Sequence, residues 1–227
     1  MLPAGSAETQ GARVMRVIDL SHTITSGMPC YPGTPTPLFQ SLASIDEHGF
    51  AEQLITISSH TGTHVDLPSH ILPSGSSLDA FTVERFAGAG VAIDLRGIVG
   101  GIIPVDALYP FRDLIQKSEF LLLCSGWSQH WGSPDYYAGY PVLSSEAARW
   151  LTGFHLKGVG VDMISVDAPE SADFSVHRIL LQKEIVIIEN LVCPPVLLHS
   201  IFTFCGFPLK IVGAEASPVR AVAFIEE

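Results

Sequence analysis

The sequence predicts a single α/β domain with a mixed, partly closed β-sheet and helices on its outside. Three observations support this fold class. The chain has 227 residues, of which 47% are hydrophobic, enough for one sizeable core. Apolar runs at residues 91–95 and 120–124 have the length and composition of strands that are buried on both faces. Segments with helical spacing lie between such runs.

The first part of the chain predicts strands joined by turns. An apolar run at residues 17–20 predicts the first strand, and the prolines and glycine of residues 29–33 predict a turn. Residues 37–44 and 52–59 predict two further strands, joined by a turn around His48 and Gly49. Helices are predicted at residues 78–86 and at 105–117, the second interrupted by Pro110.

The second part of the chain continues this order. Ser144 is a favourable N-cap for a helix that continues to Leu151. Strands are predicted at residues 159–162 and 184–190, a helix at 175–183, and two closing strands between residues 202 and 225. The predicted domain spans residues 16–227. Residues 1–15 are predicted to form a disordered segment without a targeting signal.

The charge of the chain restricts its partners. Twelve basic and 23 acidic side chains give a net charge of −11, which disfavours nucleic acid and anionic membrane surfaces. A stretch without Asp, Glu, Lys or Arg, residues 190–209, contains three prolines and predicts a buried irregular segment, not a membrane span. Four scattered cysteines without a C-x-x-C pair indicate reduced thiols and a cytoplasmic protein.

Residues 60–70 carry three of the nine histidines and one aspartate. His60 and His64 would lie roughly 13 Å apart in an extended strand, too far to share an ion, so the chain must bend between them. Gly62 allows that bend. His64 and Asp66 are two residues apart and share one face of an extended segment. The spacing predicts a metal site with His60, His64 and Asp66 as ligands.

Other residues near this motif have more than one interpretation. A loop rich in Ser, Thr, Gly and Pro is usually only a loop, and His70 could be a ligand, a general base or an orienting neighbour. Glu189 ends an apolar strand and needs a partner there. A salt bridge to Lys183 or Arg178 would satisfy Glu189 as well as a metal ion would.

The pattern H-x-G-T-H-x-D-x-P-x-H at residues 60–70 resembles the motif of the cyclase-type metal-dependent hydrolases, which include bacterial kynurenine formamidase and isatin hydrolase. The resemblance implies a swivelling β/β/α architecture and a homo-oligomer, either a dimer or a tetramer. It also implies that Tyr31 contacts the substrate and that His177 and Glu189 reach the metal centre. Kynurenine formamidases often have tryptophan at the position of Tyr31, which favours a substrate other than a kynurenine derivative.

Six candidate ligands or proton carriers exceed the four of a closed structural zinc site, which favours catalysis. We expect one or two zinc or manganese ions per subunit to lower the pKa of a bound water, so that hydroxide attacks the carbonyl of a small amide. His70 would serve as general acid and base. The alternatives are a lyase or cyclase, a lactone hydrolase, or a metal-stabilised binding protein without activity.

Overall fold

The computed structural model describes residues 15–98 and 101–226. Most of the predicted disordered segment lies outside this part of the chain, and Met15 begins the first strand. The strands are β1 Met15–Asp19, β2 Leu38–Ala43, β3 Glu52–Thr56, β4 His64–Asp66, β5 Ala87–Asp94, β6 Ile102–Ile103, β7 Phe120–Cys124, β8 Val142–Leu143, β9 Gly158–Val161, β10 Val186–Glu189, β11 Ile201–Pro208 and β12 Ala216–Glu226. The α-helices are α1 Ile45–His48, α2 Arg112–Gln116, α3 Ser145–Leu151 and α4 Ser175–Leu181.

One mixed sheet of eight strands organises the molecule, in the order β1-β12-β11-β5-β7-β9-β10-β4. Strand β12 also pairs with β4, so seven strands close into a ring while β1 remains outside it. The pairs β5–β7, β7–β9 and β9–β10 are parallel, and the other pairs of this sheet are antiparallel. The prediction of an α/β domain with a mixed, partly closed sheet is confirmed.

Side chains alternate between the two faces of the central strands, as the period of two requires. In β7, Phe120 and Leu122 point into the closed ring, where they join Phe204 in one core cluster. Leu121 and Leu123 point outward and belong to a second cluster, which includes buried residues of α3 and α4. Burial on both faces explains why this strand reads as a continuous apolar run.

Two predicted helices are shorter than the sequence indicates. Residues 78–86 form two separate 3₁₀ turns, Leu78–Ala80 and Val83–Phe86, because the chain becomes extended at Phe81. Residues 105–117 form two 3₁₀ turns and then α2, since Pro110 cannot donate the hydrogen bond that a continuous helix needs. Helix α3 begins as predicted, with the Ser144 hydroxyl accepting a hydrogen bond from the Ala147 amide.

Strands β2 and β3 form a separate two-stranded hairpin that precedes the histidine motif in the chain. Several large apolar side chains of this hairpin and its turn are exposed, including Leu38, Ile45, Phe50 and Ile55. Within residues 15–98 and 101–226, no helix combines the length and the apolar character that crossing a membrane would require.

Candidate metal centre

The candidate ligands of the motif lie at one end of the closed sheet. His64 and Asp66 are the first and last residues of β4, and both are buried. His60 precedes the strand across a turn in which Gly62 has a φ of +62°. A side chain at this position would be strained in that conformation, so glycine permits the bend that the sequence predicts. His60 Nδ1 lies 2.9 Å from Asp66 Oδ1.

Strand pairing brings Glu189 to the same place. Glu189 is the last residue of β10 and is the direct antiparallel partner of His64 in β4. The Glu189 Oε2 atom lies 3.6 Å from His64 Nε2, and Oε1 accepts a hydrogen bond from the backbone amide of Val166. Arg178 instead donates to the backbone carbonyls of Asp173 and Ile71, so the alternative salt bridge to Arg178 is not formed.

Helix α4 supplies His177 from the other side. Its Nε2 atom lies 3.4 Å from Glu189 Oε1 and 3.6 Å from Asp66 Oδ2. Asp66 and Glu189 therefore each direct one oxygen toward His64 and the other toward His177. The structure brings all five sequence-predicted metal ligands together around these two carboxylates.

His70 lies beside the cluster in a 3₁₀ turn, Pro68–His70. Its ring centroid is 4.3 Å from that of His60 and 5.8 Å from that of His177. His70 is less buried than His64 or His177. Burial lowers the pKa of His70, against an opposing contribution from the charge of Asp66.

The donor set fits a divalent metal ion. Donor atoms of His60, His64 and Asp66 lie within 4.8 Å of one another, as do those of Asp66, His70 and His177. His64 Nε2 and both carboxylate oxygens of Asp66 are buried and form no well-aligned hydrogen bond, although His60 Nδ1 lies 2.9 Å from one of these oxygens. A shared cation would relieve this costly arrangement. Neutral imidazole and carboxylate are suitable ligands for zinc and manganese.

The electrostatics of the cluster also indicate a cation site. Burial lowers the pKa of His64, but the nearby carboxylates of Asp66 and Glu189 and the carbonyl oxygen of Gly62 together outweigh burial and raise the pKa to about 9. For His177, burial again lowers the pKa, but the carboxylates of Asp167, Asp66 and Glu189 that face its ring nitrogens together outweigh burial and raise the pKa well above its usual value. In the metal-free protein, protons on these rings therefore balance the buried carboxylates. A metal ion would replace those protons.

Each candidate histidine ligand has an outer partner that the sequence interpretation missed. His177 Nδ1 lies 2.7 Å from Asp167 Oδ2, and His64 Nδ1 lies 2.8 Å from the carbonyl oxygen of Gly62. For His60, the Nε2 atom faces Glu215 Oε1 at 3.6 Å. Such partners fix the ring orientation of a ligand. Asp167 lies shortly after the parallel strand β9. Functional residues of α/β domains are often found at this position, and this is the feature of the sequence that could have identified Asp167 as one of them.

A cavity of about 240 Å³ opens onto the cluster. The candidate residues His60, His64, His70, His177 and Glu189 line it. Tyr31, Ile71, Ile164 and Phe174 contribute to its less polar walls, so the predicted substrate-contact residue lies at the cavity. No lysine or arginine lines this cavity in the part of the chain that the structure describes.

The chain is similar in sequence and in fold to several known proteins. A family model described as putative cyclase matches residues 18–168. A kynurenine formamidase from Salinibacter ruber is 31% identical over 218 residues, which cover 92% of this chain and 97% of the relative. A solved structure described as a potential metal-dependent hydrolase with cyclase activity is 26% identical, with a TM-score of 0.78, and covers 94% of this chain and 100% of its own.

A solved isatin hydrolase, bound to the product analogue thioisatinate, has the same fold. Its TM-score is 0.84 at 19% identity, over 94% of this chain and 93% of that chain. The family model ends before His177 and Glu189, so their place at the centre rests on the geometry above. The family match covers more than half of the chain, and this protein belongs to the cyclase family.

Proposed function

We propose that this chain is a metal-dependent hydrolase that cleaves the C–N bond of a small amide, either an aryl formamide or a cyclic amide. The observation that carries the proposal is a buried histidine and carboxylate cluster whose unpartnered atoms lie beside a cavity of about 240 Å³. A relative named kynurenine formamidase, aligned over 97% of its length, supports the amide class.

The metal ligands in this proposal are His60, His64, Asp66, His177 and Glu189. A divalent ion bound to them, zinc or manganese, supplies Lewis acidity and lowers the pKa of water. Asp66 directs one oxygen toward His64 and the other toward His177, which favours two ions per subunit that share this carboxylate. Metal analysis of protein purified without chelators measures both identity and count, and one equivalent per chain would contradict the second ion.

His70 is proposed as the general acid and base. Its lowered pKa leaves the imidazole neutral near pH 7, so a ring nitrogen can accept a proton from the attacking water and return it to the leaving nitrogen. His70→Ala should retain the metal content of the wild type and lower turnover about a hundredfold or more. A loss of metal in this variant would make His70 a ligand instead, and normal turnover would exclude both roles.

Tyr31 is proposed to contact the substrate from the cavity wall. Tyr31→Ala should raise KM more than it lowers kcat, because the ring would supply binding and not proton transfer. Tyr31→Phe is the matched control that keeps the ring and removes only the hydroxyl group. If Tyr31→Ala leaves both constants unchanged, Tyr31 has no contact with the substrate.

The cavity favours a compact substrate without a negative charge. Its described lining residues include no lysine or arginine, and the chain carries a net charge of −11. A panel of neutral aryl formamides, cyclic amides and lactones, with an aryl formamide that carries one carboxylate as the charged comparison, tests this preference. Incorporation of ¹⁸O from labelled water into the product supports hydrolysis, whereas product without the label would support the lyase or cyclase alternative.

We further propose a cytoplasmic homo-oligomer, a dimer or a tetramer. Exposed apolar side chains on the β2–β3 hairpin, including Leu38 and Phe50, support burial against a second copy. The four cysteines are free thiols, which supports a reducing compartment. Light scattering after size-exclusion chromatography should give the mass of an oligomer, and Phe50→Glu should reduce that mass if the hairpin forms the interface.

A further inference from the structure

A buried chain of hydrogen bonds runs from the side chain of Tyr136 to the candidate ligand His64. The Tyr136 hydroxyl donates to Asn190 Oδ1 at 2.7 Å, and Asn190 Nδ2 donates to the Gly62 carbonyl oxygen at 2.9 Å. The same carbonyl lies 2.8 Å from His64 Nδ1. Tyr136, Asn190 and His64 are at most 5% exposed.

We propose that Tyr136 and Asn190 are positioning residues that fix the orientation of His64 at the metal centre. Neither residue reaches the metal cluster through its own side chain in this arrangement. Their effect passes through the carbonyl group of Gly62. The inference rests on the proposed metal role of His64 and is independent of the substrate.

The Gly62 carbonyl determines which nitrogen of His64 faces the cluster. A carbonyl oxygen can only accept, so Nδ1 of a neutral His64 must carry the proton. Nε2 then presents its lone pair toward Asp66 and Glu189, whose oxygens lie 3.3 and 3.6 Å away. A metal ligand requires this neutral ring with one free nitrogen.

Asn190 prevents the Gly62 carbonyl from turning. Gly62 has a positive φ within a turn, where a peptide group is less constrained than in a strand. The Asn190 amide holds the carbonyl from one side while His64 holds it from the other. The main chain of Asn190 is also held in place. Its carbonyl oxygen accepts a hydrogen bond from the Thr63 hydroxyl at 2.6 Å, and its backbone N–H donates to the Met163 carbonyl oxygen at 2.9 Å.

Tyr136 determines the orientation of the Asn190 amide. The two ends of an asparagine side chain are nearly equal in shape but opposite in hydrogen bonding. Because the tyrosine hydroxyl donates to Oδ1, the Nδ2 group is directed toward Gly62. Without that hydroxyl the amide can rotate and present its oxygen to the carbonyl, an unfavourable pairing of two acceptors.

Zinc affinity of Tyr136→Phe tests the proposal, because this change removes one hydroxyl and keeps the buried ring. Metal-free protein is titrated with Zn²⁺ against a chromophoric chelator. We expect the affinity to fall about tenfold, at the lower end of the effect of outer partners on metal binding. The matched control is Tyr109→Phe, at a tyrosine that is 51% exposed, and its zinc affinity should equal that of the wild type.

A second readout separates positioning from loss of packing. In the zinc-loaded protein, the ring Nδ1–H signal of His64 in a ¹⁵N spectrum should shift and exchange faster in Tyr136→Phe than in the wild type. An unchanged zinc affinity together with an unchanged His64 signal would overturn the proposal. Absence of hydrolysis on every substrate would count against the proposed function alone, since zinc binding is measured without substrate.

Asn190→Gly decides the question if Tyr136→Phe does not fold. Asn190 has a φ of +58°, which glycine adopts without strain, so the variant removes the amide and keeps the backbone. Its zinc affinity should fall by about tenfold to a hundredfold. Glu184→Gly is the matched control, because Glu184 also has a positive φ, of +56°, and is exposed. Equal zinc affinities in Asn190→Gly and Glu184→Gly would refute the role of Asn190.

Discussion

Replacing Gly75 with alanine tests whether the loop that carries His70 must hold its backbone in place. Gly75 packs directly against the 3₁₀ turn of that loop. The Ser69 amide donates to the Ser76 carbonyl at 3.2 Å, and the Gly75 amide donates to Leu72 at 2.9 Å. A Cβ atom at Gly75 would lie 2.3 Å from the carbonyl carbon of Pro68, 2.4 Å from its oxygen and 2.6 Å from the Ser69 nitrogen.

The size of the effect follows from these distances. Real Cβ atoms essentially never approach a neighbour closer than 3.0 Å, so the Pro68 backbone would have to move by at least 0.7 Å, the difference between 3.0 and 2.3 Å. Overpacking of this kind costs about 1–3 kcal/mol of unfolding free energy. His70 follows Ser69 directly, and a misplacement of about 1 Å at a catalytic group can cost about a hundredfold in rate.

Urea unfolding and hydrolysis of a small amide measure the two consequences of Gly75→Ala. The control is Gly97→Ala, where an added Cβ has no neighbour within 4 Å and φ is not positive. We expect Gly75→Ala to lose stability and activity by the amounts above and Gly97→Ala to change the unfolding free energy by less than about 0.5 kcal/mol. Wild-type stability and activity in Gly75→Ala would refute the reasoning.

Three further predictions concern the cluster and its surroundings. Asp167→Asn should weaken zinc binding about tenfold to a hundredfold, because it removes the negative charge beside His177 Nδ1, and an unchanged titration would exclude this role. Burial lowers the pKa of His22 to about 4, so between pH 6.5 and 4 the unfolded chain binds a proton on this ring more readily than the folded protein does. The free energy of unfolding should therefore decrease as the pH falls through this range. Urea unfolding at pH 7.5 and 4.5 should show a smaller difference for His22→Gln than for the wild type, and equal differences would contradict it. Chelation should lower Tm, since free metal at a hundred times Kd stabilises the folded state by about 2.7 kcal/mol, and an unchanged Tm would exclude a tightly bound ion.

The sequence predicted the candidate ligands better than the groups that hold them. A histidine and an aspartate two residues apart share a face in any extended segment, so the arrangement of His64 and Asp66 could be predicted from spacing. The partner of Glu189 could not, because it depends on the antiparallel register of β10 and β4, which pairs Glu189 with His64. From the sequence alone, a salt bridge to a basic neighbour explains the carboxylate of Glu189 as well as a metal ion does.

The outer partners were missed for a different reason. The partners of His64 depend on backbone groups and turns that leave no residue pattern. The carbonyl that holds His64 belongs to Gly62, and any residue type has a carbonyl. Asn190 acts from a left-handed backbone conformation after β10, and Tyr136 reaches it from a 3₁₀ turn more than 50 residues earlier. Such contacts become visible only when the closed sheet brings distant loops to one end.

The number of candidate donor groups helps to decide whether a bound metal ion would have a structural or a catalytic role. A structural zinc site closes its coordination with four side chains and needs no access to solvent. Here His60, His64, His70, His177 and Glu189 line one cavity, and the buried Asp66 lies against three of these histidines. A binding protein stabilised by metal would gain nothing from a sixth titratable group or from an opening of about 240 Å³ above the ion site. The arrangement therefore favours an enzyme over a structural site, and labelled water distinguishes the hydrolase from the lyase.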